Sequence, residues 1–204
     1  MRGAQVPTRV HSVLIGFGLV AVTIGGCTVN GPDPAPTTSA PKPETKTSRP
    51  KDLSLAGKQD ADLCKLLTEE QQSQLQIARP RPVAKDGTND FPGCIWSGET
   101  GQTGYSVAVR AVPMSMADFR AKRGDESPDT AATYAVGAGF PAAQGQRGGG
   151  FEQLGCNVDV DVADGQTLDT FVSPNVNGTM SNQDMCTKAK QAAEAAVTTL
   201  QGQG

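Results

Sequence analysis

Four cysteines spread along the chain after residue 60 restrict the available folds more than any other feature. They are Cys64, Cys94, Cys156 and Cys186. No two of them form the CxxC pair that is typical of a Cys₄ zinc site, so zinc is the weaker interpretation. An even number of cysteines in an exported chain predicts disulfides, and four cysteines allow three pairings.

Among these pairings we predict Cys64–Cys94 and Cys156–Cys186, although sequence alone does not decide between the three. In each predicted pair one cysteine lies in a helix-like segment and the other in a strand-like segment. Each pair closes a loop of about 30 residues, which contributes roughly 3–4 kcal/mol to stability in the chain-entropy model.

The N-terminal segment carries the export signal that makes disulfides possible. Arg2 and Arg9 precede an apolar run over residues 13–24, and no acidic residue occurs before Asp33. The run is shorter than the roughly 20 residues that a membrane-spanning helix needs, and it has the length of a secretory signal core. We therefore predict that residues 1–26 are a signal peptide.

The residues at the end of this run, Ile24-Gly25-Gly26-Cys27, resemble the lipobox of bacterial lipoproteins. In such proteins the cysteine thiol is acylated and the signal is cut just before it. The resemblance implies acylation of Cys27, with palmitate among the chains, and a location on the extracytoplasmic face of the cell membrane. Two or more long acyl chains hold a protein on a bilayer where one does not. The alternative is an ordinary signal peptide with a chance cysteine, or a short uncleaved anchor.

Cleavage before Cys27 leaves a chain without histidine, because the single histidine is His11. Ser-His-Asp and Cys-His catalysis and histidine-bearing zinc sites are then excluded. Removal of Arg2 and Arg9 also takes the formal net charge from −3 to −5, which argues against nucleic acid as a partner. We predict no cofactor and no enzymatic activity.

A proline-rich segment separates Cys27 from the first cysteine-bearing helix. Prolines recur from Pro32 to Pro50 among threonine, serine and charged residues. Such a chain buries too little apolar surface to offset the entropy lost on ordering. We predict a lipidated, disordered tether over residues 27–58 and a folded domain over residues 59–204. An O-glycosylated stalk or a proline-rich recognition ligand is the alternative.

Hydrophobic periodicity predicts helices at both ends of the folded domain and strands between them. Leu63, Leu66 and Leu67 fall on one helical face, and residues 182–200 form an alanine-rich helix. Strands are predicted at residues 94–98, 105–112, 156–163 and 167–174, the last two joined by a tight turn. The pattern indicates an α+β fold, an antiparallel sheet flanked by N-terminal and C-terminal helices with two disulfides.

Two capping patterns mark further helix starts. Thr68 with Gln71 has the spacing of a capping box, and Ser115 with Asp118 precedes a short helix.

The segment from residue 156 to residue 162 alternates strictly between apolar and polar residues. Its Cys156 and valines are predicted to face inward, and Asn157, Asp159 and Asp161 are predicted to face solvent.

Asp159, Asp161 and Asp164 are weak calcium candidates, because carboxylates at this spacing supply hard oxygen ligands. The EF-hand pattern requires an oxygen ligand at its fifth position, and this chain has Ala163 there. The alternating valines favour a strand with a solvated acidic face instead. We therefore predict no bound metal.

The order of these motifs is similar to that of an uncharacterised family of actinobacterial lipoproteins, a domain of unknown function. The motifs are a lipobox, a Pro/Thr-rich spacer, "DLCKLLTEE", "GCIWSG", "CNVDVDV" and a terminal "DMCTKAKQAAEAAVTTL". The similarity covers roughly residues 59–201. It implies export, lipid anchoring and disulfides, and it implies no established activity.

Three classes of function remain. We favour a non-catalytic binding module for a small molecule or an envelope partner, with a cleft between the terminal helix and the sheet as the default site. The alternative is a structural or accessory interaction protein that uses an apolar surface patch. A carboxylate-based enzyme ranks last, because it needs two acids in one cavity with separated pKa values. The sequence does not predict individual ligand-binding residues.

Overall fold

The computed structural model describes residues 48–86, 90–100, 103–124, 132–148, 153–175 and 180–204. The predicted signal peptide, Cys27 and most of the predicted tether lie outside these residues. Residues Thr45–Gly204 form one compact unit. The described part of this unit has the predicted α+β fold, with helices on a seven-stranded antiparallel sheet.

The helices are α1 (Asp60–Leu63), α2 (Glu69–Leu75), α3 (Met116–Arg123) and α4 (Asn182–Gln203). The strands are β1 (Ile77–Val83), β2 (Gly93–Thr100), β3 (Thr103–Val112), β4 (Thr133–Val136), β5 (Phe140–Gly148), β6 (Gln153–Ala163) and β7 (Gln166–Pro174). The sheet order is β1-β2-β3-β7-β6-β5-β4, so β1 and β4 are its edges. Among the described residues, none of the helices combines the length and the apolar character needed to span a bilayer.

The capping patterns are confirmed. Thr68 Oγ1 accepts a hydrogen bond from Gln71 N at 3.3 Å, and Gln71 Oε1 accepts one from Thr68 N at 2.8 Å. Ser115 Oγ accepts a hydrogen bond from Asp118 N at 3.1 Å and so starts α3. The first helical region is not continuous, however, because a 3₁₀ turn at Cys64–Leu66 separates α1 from α2.

The two faces of the sheet have different cover. On one face, called the α4 face, helix α4 packs over β6 and β7, and Thr170 Oγ1 donates to Ala189 O at 3.1 Å. On the other face, called the α3 face, helix α3 lies over β6 and β7. The main core lies between the sheet and α4, and its largest members include Trp96, Tyr105, Phe140 and Met185.

Both predicted disulfides are confirmed, with Cα atoms 5.0 Å apart in each. Cys64 in the 3₁₀ turn is joined to Cys94 on β2. Cys186 on α4 is joined to Cys156 on β6. Each disulfide therefore ties a helical segment to the α4 face of the sheet.

The last part of the predicted tether, residues 48–58, is packed against the domain. Leu53 and Leu55 are buried in the main core. Leu53 N donates to Val162 O at 2.7 Å, and Leu55 N donates to the side chain of Gln166 at 2.7 Å. The packed domain therefore begins on the N-terminal side of the predicted boundary at residue 59, because two leucines find apolar cover beside the β6–β7 turn.

The prediction that Asn157 and Asp159 face solvent is wrong, since both are fully buried. They do lie opposite the inward-facing valines of β6, as the alternation requires. Helix α3 covers that side of the strand, so both faces of β6 are buried at this point. Alternation predicted which residues share a face, but it did not predict that the second face is covered.

Candidate functional site

Strand pairing on the α3 face places a short side chain between larger ones. Ala108 on β3 pairs with Ile95 on β2 and with Phe171 on β7. Ile95 pairs in turn with Arg81 on the edge strand β1. Because an alanine side chain is short, the sheet surface is depressed at the centre of this row.

The depression continues into a groove of about 520 Å³, called the open groove. Helix α3 borders it on one side, where Phe91 and Phe119 meet edge to face with ring centroids 5.5 Å apart. The apolar lining includes Val83, Phe91, Ile95, Ala108, Phe119 and Phe171. The polar lining consists of Arg81, Asp90, Ser106, Arg110, Arg123 and Ser173.

Arg110 and Arg123 are fixed in the groove wall by one buried carboxylate, that of Asp169. Arg110 Nε donates to Asp169 Oδ2 at 2.6 Å. Its Nη2 lies against the same oxygen in an ion-pair contact without the alignment of a hydrogen bond. Arg123 Nη1 donates to the other oxygen of Asp169 at 3.1 Å. The Arg110 side chain keeps 29% of its surface exposed, whereas the Asp169 side chain is fully buried.

A second carboxylate extends this network beneath α3. Asp159 Oδ2 accepts hydrogen bonds from Arg120 Nη1 at 2.7 Å and from Arg123 Nη2 at 2.5 Å. The Arg120 side chain is only 1% exposed. With Arg110 included, three guanidinium groups surround two carboxylates, those of Asp159 and Asp169. The network therefore places three guanidinium groups next to the open groove.

Burial and the nearby Asp169 carboxylate raise the pKa of Asp159 to about 7 from its ordinary value of 3.8. The guanidinium groups of Arg123 and Arg120 oppose this rise. Protonation of Asp159 removes one negative charge from the network as the pH falls.

Among the described residues, the acidic side chain that lines the open groove is that of Asp90. Its carboxylate contacts Lys122 Nζ at 3.0 Å, and the Asp90 side chain is 70% exposed. This partner offsets its charge, so Asp90 does not neutralise the guanidinium groups of the groove.

A family model described as a protein of unknown function, DUF3558, matches residues 22–199. The chain belongs to this family. The match includes Cys27 and ends within α4, so it takes in nearly all of the described domain. Neither the curated proteins nor the solved structures gave a match.

The calcium candidates of this DUF3558 chain are separated and bound to arginines. Asp159 belongs to the buried network under α3. Asp161 and Asp164 both accept hydrogen bonds from Arg49, at 2.8 Å and 2.6 Å. Burial raises the pKa of Asp161, and Arg49 opposes that rise. Within the described ranges, no group of three or more His, Cys, Asp and Glu side chains is arranged to hold a metal ion.

The predicted cleft between the terminal helix and the sheet is wrong for this DUF3558 domain. Ala189, Ala192 and Ala196 of α4 are fully buried, because their short side chains let the helix pack directly on the sheet. A smaller hollow of about 350 Å³ lies between α2 and α4 instead. The Gln71 side chain at its edge donates to Ala195 O at 3.1 Å.

The residues of the open groove were not predicted as a site. Cys27, the predicted lipidation residue, lies outside the described residues. The sequence gives one partial indication of the groove, because a row of small and polar residues lies on one side of β3. These residues are Ser106, Ala108 and Arg110. Their position beside Ile95 and Phe171 depends on strand pairing, which the sequence alone does not give.

Proposed function

We propose that this DUF3558 protein is a lipid-anchored extracytoplasmic binding module that takes a small molecule in the open groove and catalyses no reaction. The observation that carries the proposal is the concave surface of about 520 Å³ with an apolar floor and with Arg81, Arg110 and Arg123 in its lining. Small-molecule sites commonly have volumes of about 300–1,000 Å³ and combine apolar walls with a few placed polar groups. The open groove has these properties.

A carboxylate-based enzyme is disfavoured by the position of the acids. Asp159 and Asp169 are close together, but both are fully buried and neither lines the groove. Their oxygens accept hydrogen bonds from arginines. A bound molecule in the groove therefore meets guanidinium groups rather than a catalytic pair of carboxylates.

A structural or accessory interaction protein remains the second candidate. That role would suit a flat exposed apolar patch. The groove is concave, and its apolar floor is bordered by Arg81 and Arg110. This shape favours a small molecule over a broad protein surface, so we place ligand binding first.

The anchor part of the proposal rests on the sequence at Ile24-Gly25-Gly26-Cys27. The family match begins at residue 22, so this tetrapeptide lies within the matched region. Arg49, which binds Asp161 and Asp164, fixes the start of the packed domain beside the β6–β7 turn. Residues 28–47 are therefore the length of chain between the proposed anchor and the domain.

We expect the full-length protein to incorporate radiolabelled palmitate when it is expressed in a bacterium that processes lipoproteins. The Cys27→Ala variant is expected to incorporate none, because no other cysteine is left unpaired for acylation. A variant with Cys64→Ala and Cys94→Ala serves as the control and should keep the label. Label in the Cys27→Ala variant, or none in the natural chain, would show that the anchor is misassigned.

The groove is tested by photolabelling of the full-length protein in membranes with a diazirine derivative of decanol. We expect saturable labelling of peptides from β3 and β7 because Ala108 and Phe171 form the groove floor. Ala108→Phe fills the depression and should reduce this labelling to background.

The matched control is Ala135→Phe. Ala135 is exposed on the other edge strand, and its pairing with Pro141 puts it on the same face of the sheet. This variant receives the same added ring far from the groove and should be labelled like the natural chain. Equal labelling of all three proteins would contradict a site in the groove.

A further inference from the structure

We infer that the groove ligand is an amphiphile with one apolar body and one anionic group, either a carboxylate or a phosphate ester. This inference rests on the proposed function, because it assigns a chemical class to the ligand of the same groove. It depends on three features: the guanidinium groups of Arg81 and Arg110, the apolar floor, and the order in which strand pairing places them.

The cationic feature has two parts with different exposure. Arg81 is exposed on the edge strand β1 at one end of the groove. Arg110 is partly exposed and is held in place by the buried Asp169. A guanidinium group is planar and presents paired donors that match a carboxylate or a phosphate. Arg110 is pre-positioned by its buried partner, which reduces the entropy lost when it binds an anion.

The floor between Arg81 and α3 is apolar. Arg81, Ile95, Ala108 and Phe171 follow one another across four neighbouring strands. Strands lie about 4.8 Å apart, so this row extends over roughly 14 Å from Arg81 to Phe171. A ligand that lies along the row places a charged end near Arg81 and an apolar body against Ile95 and Ala108.

A cationic amphiphile does not fit this arrangement. Among the described residues that line the groove, the acidic one is Asp90, and Lys122 already contacts its carboxylate. An ammonium group would instead meet Arg81 and Arg110. Like charges that are brought together in a partly desolvated groove oppose binding. The ligand charge is therefore negative.

An anionic ligand of this class can come from two sources. It can be a free amphiphilic acid, or it can be the headgroup of an anionic lipid in the membrane to which the protein is anchored. Both present the same group to Arg81 and Arg110. The experiment therefore needs one arm for the class of the ligand and another for its source.

The test uses two photoreactive probes with the same ten-carbon chain, one ending in a carboxylate and one in an alcohol. The full-length protein is reconstituted in nanodiscs of zwitterionic lipid, and labelled β3 and β7 peptides are quantified by mass spectrometry. We expect the acid to reach half-saturation at a concentration about 10-fold lower than the alcohol, as befits a charge-assisted hydrogen bond.

Arg81→Gln should remove most of this advantage, because it weakens binding of the acid far more than binding of the alcohol. Because Arg81 is exposed, its replacement should not disturb the fold. Lys65→Gln is the matched control, since it removes a cation whose side chain is 72% exposed and lies outside the groove lining. It should keep the full preference for the acid.

Equal half-saturation by acid and alcohol, with both blocked by Ala108→Phe, would overturn the anionic class and leave the binding function standing. Absence of groove labelling by either probe would overturn the binding function itself. The source of the ligand is tested by repeating the measurement in nanodiscs that contain the anionic lipid phosphatidylglycerol. Reduced acid labelling there supports an anionic headgroup as the ligand, and unchanged labelling supports a free acid.

Discussion

Replacement of Arg120 by alanine is expected to lower the free energy of unfolding by about 3–5 kcal/mol, the range for breaking a buried ion pair. Arg120 on α3 is almost fully buried, and it donates to Asp159 Oδ2 at 2.7 Å. The same guanidinium group reaches the backbone oxygens of Ala143 and Gln144 on β5. Its loss leaves the Asp159 carboxylate under α3 with fewer donors. Urea unfolding followed by circular dichroism measures the change.

The effect of Arg120→Ala should depend on pH in a defined direction. The pKa of Asp159 is about 7 in the folded protein and above its ordinary value of 3.8, so the folded state binds more protons between these values. Removal of Arg120 raises the folded-state pKa further. Stability then continues to fall with rising pH to higher pH values than in the natural chain. We expect the variant to lose less stability at pH 5 than at pH 8.

Lys122→Ala is the matched control for Arg120→Ala. Lys122 lies on the same helix and also pairs with an aspartate, but its side chain is 52% exposed. Exposed ion pairs contribute about 0–1 kcal/mol, so this variant should be nearly as stable as the natural chain. Equal effects of the two substitutions, or a loss at Arg120 below about 1 kcal/mol, would mean that the buried network does not hold α3 on the sheet.

Removal of the disulfide between α4 and β6, by Cys156→Ala with Cys186→Ala, is expected to lower the free energy of unfolding by about 3–4 kcal/mol. The bridge closes a loop with a sequence separation of 30 residues. Without it the unfolded chain gains conformational freedom, and α4 is held to the sheet by its buried apolar side chains and the hydrogen bond from Thr170 Oγ1 to Ala189 O. Thermal unfolding under non-reducing conditions measures the loss.

The other disulfide provides the comparison, because Cys64 and Cys94 are also 30 residues apart. The chain-entropy model predicts the same loss for both pairs. A difference between them would report how well each site packs after the sulfur atoms are removed. A loss below about 1 kcal/mol in both variants would contradict a stabilising role for the disulfides.

Local patterns in the sequence were sufficient for much of the fold. The alternation of Tyr105, Val107 and Val109 predicted the buried side of β3, and the turn after Ala163 predicted the β6–β7 hairpin. The spacing of Ser115 and Asp118 predicted the start of α3. These signals involve residues close together in the chain, where backbone geometry fixes which side chains share a face.

Edge strands gave much weaker signals. In β1, Pro80 and Pro82 lack the backbone donor of a central strand, and Arg79 adopts a φ of +57°. The pairing register of β1 with β2 shifts between Ala78 and Arg81. Such a strand is stable because it lies at the edge of the sheet. Its position in the sheet, rather than its composition, explains why it forms.

The candidate site depends on contacts between distant parts of the chain. Asp159 and Asp169 become neighbours through the pairing of β6 with β7, and α3 then brings Arg120 and Arg123 over them. Ala108 becomes the floor of a groove only because Ile95 and Phe171 stand on either side. No local pattern carries this information, so the sequence did not predict the open groove.

Methyl NMR of the full-length protein in nanodiscs tests the central claim, ligand binding in the open groove, most directly. The sample carries ¹³C-labelled alanine and isoleucine methyl groups and is titrated with decanoate. We predict saturable shifts for Ile95 and Ala108 and none for Ala192, which is buried under α4. Shifts confined to Ala195 in the hollow between α2 and α4, or no saturable shift in the groove, would contradict the account.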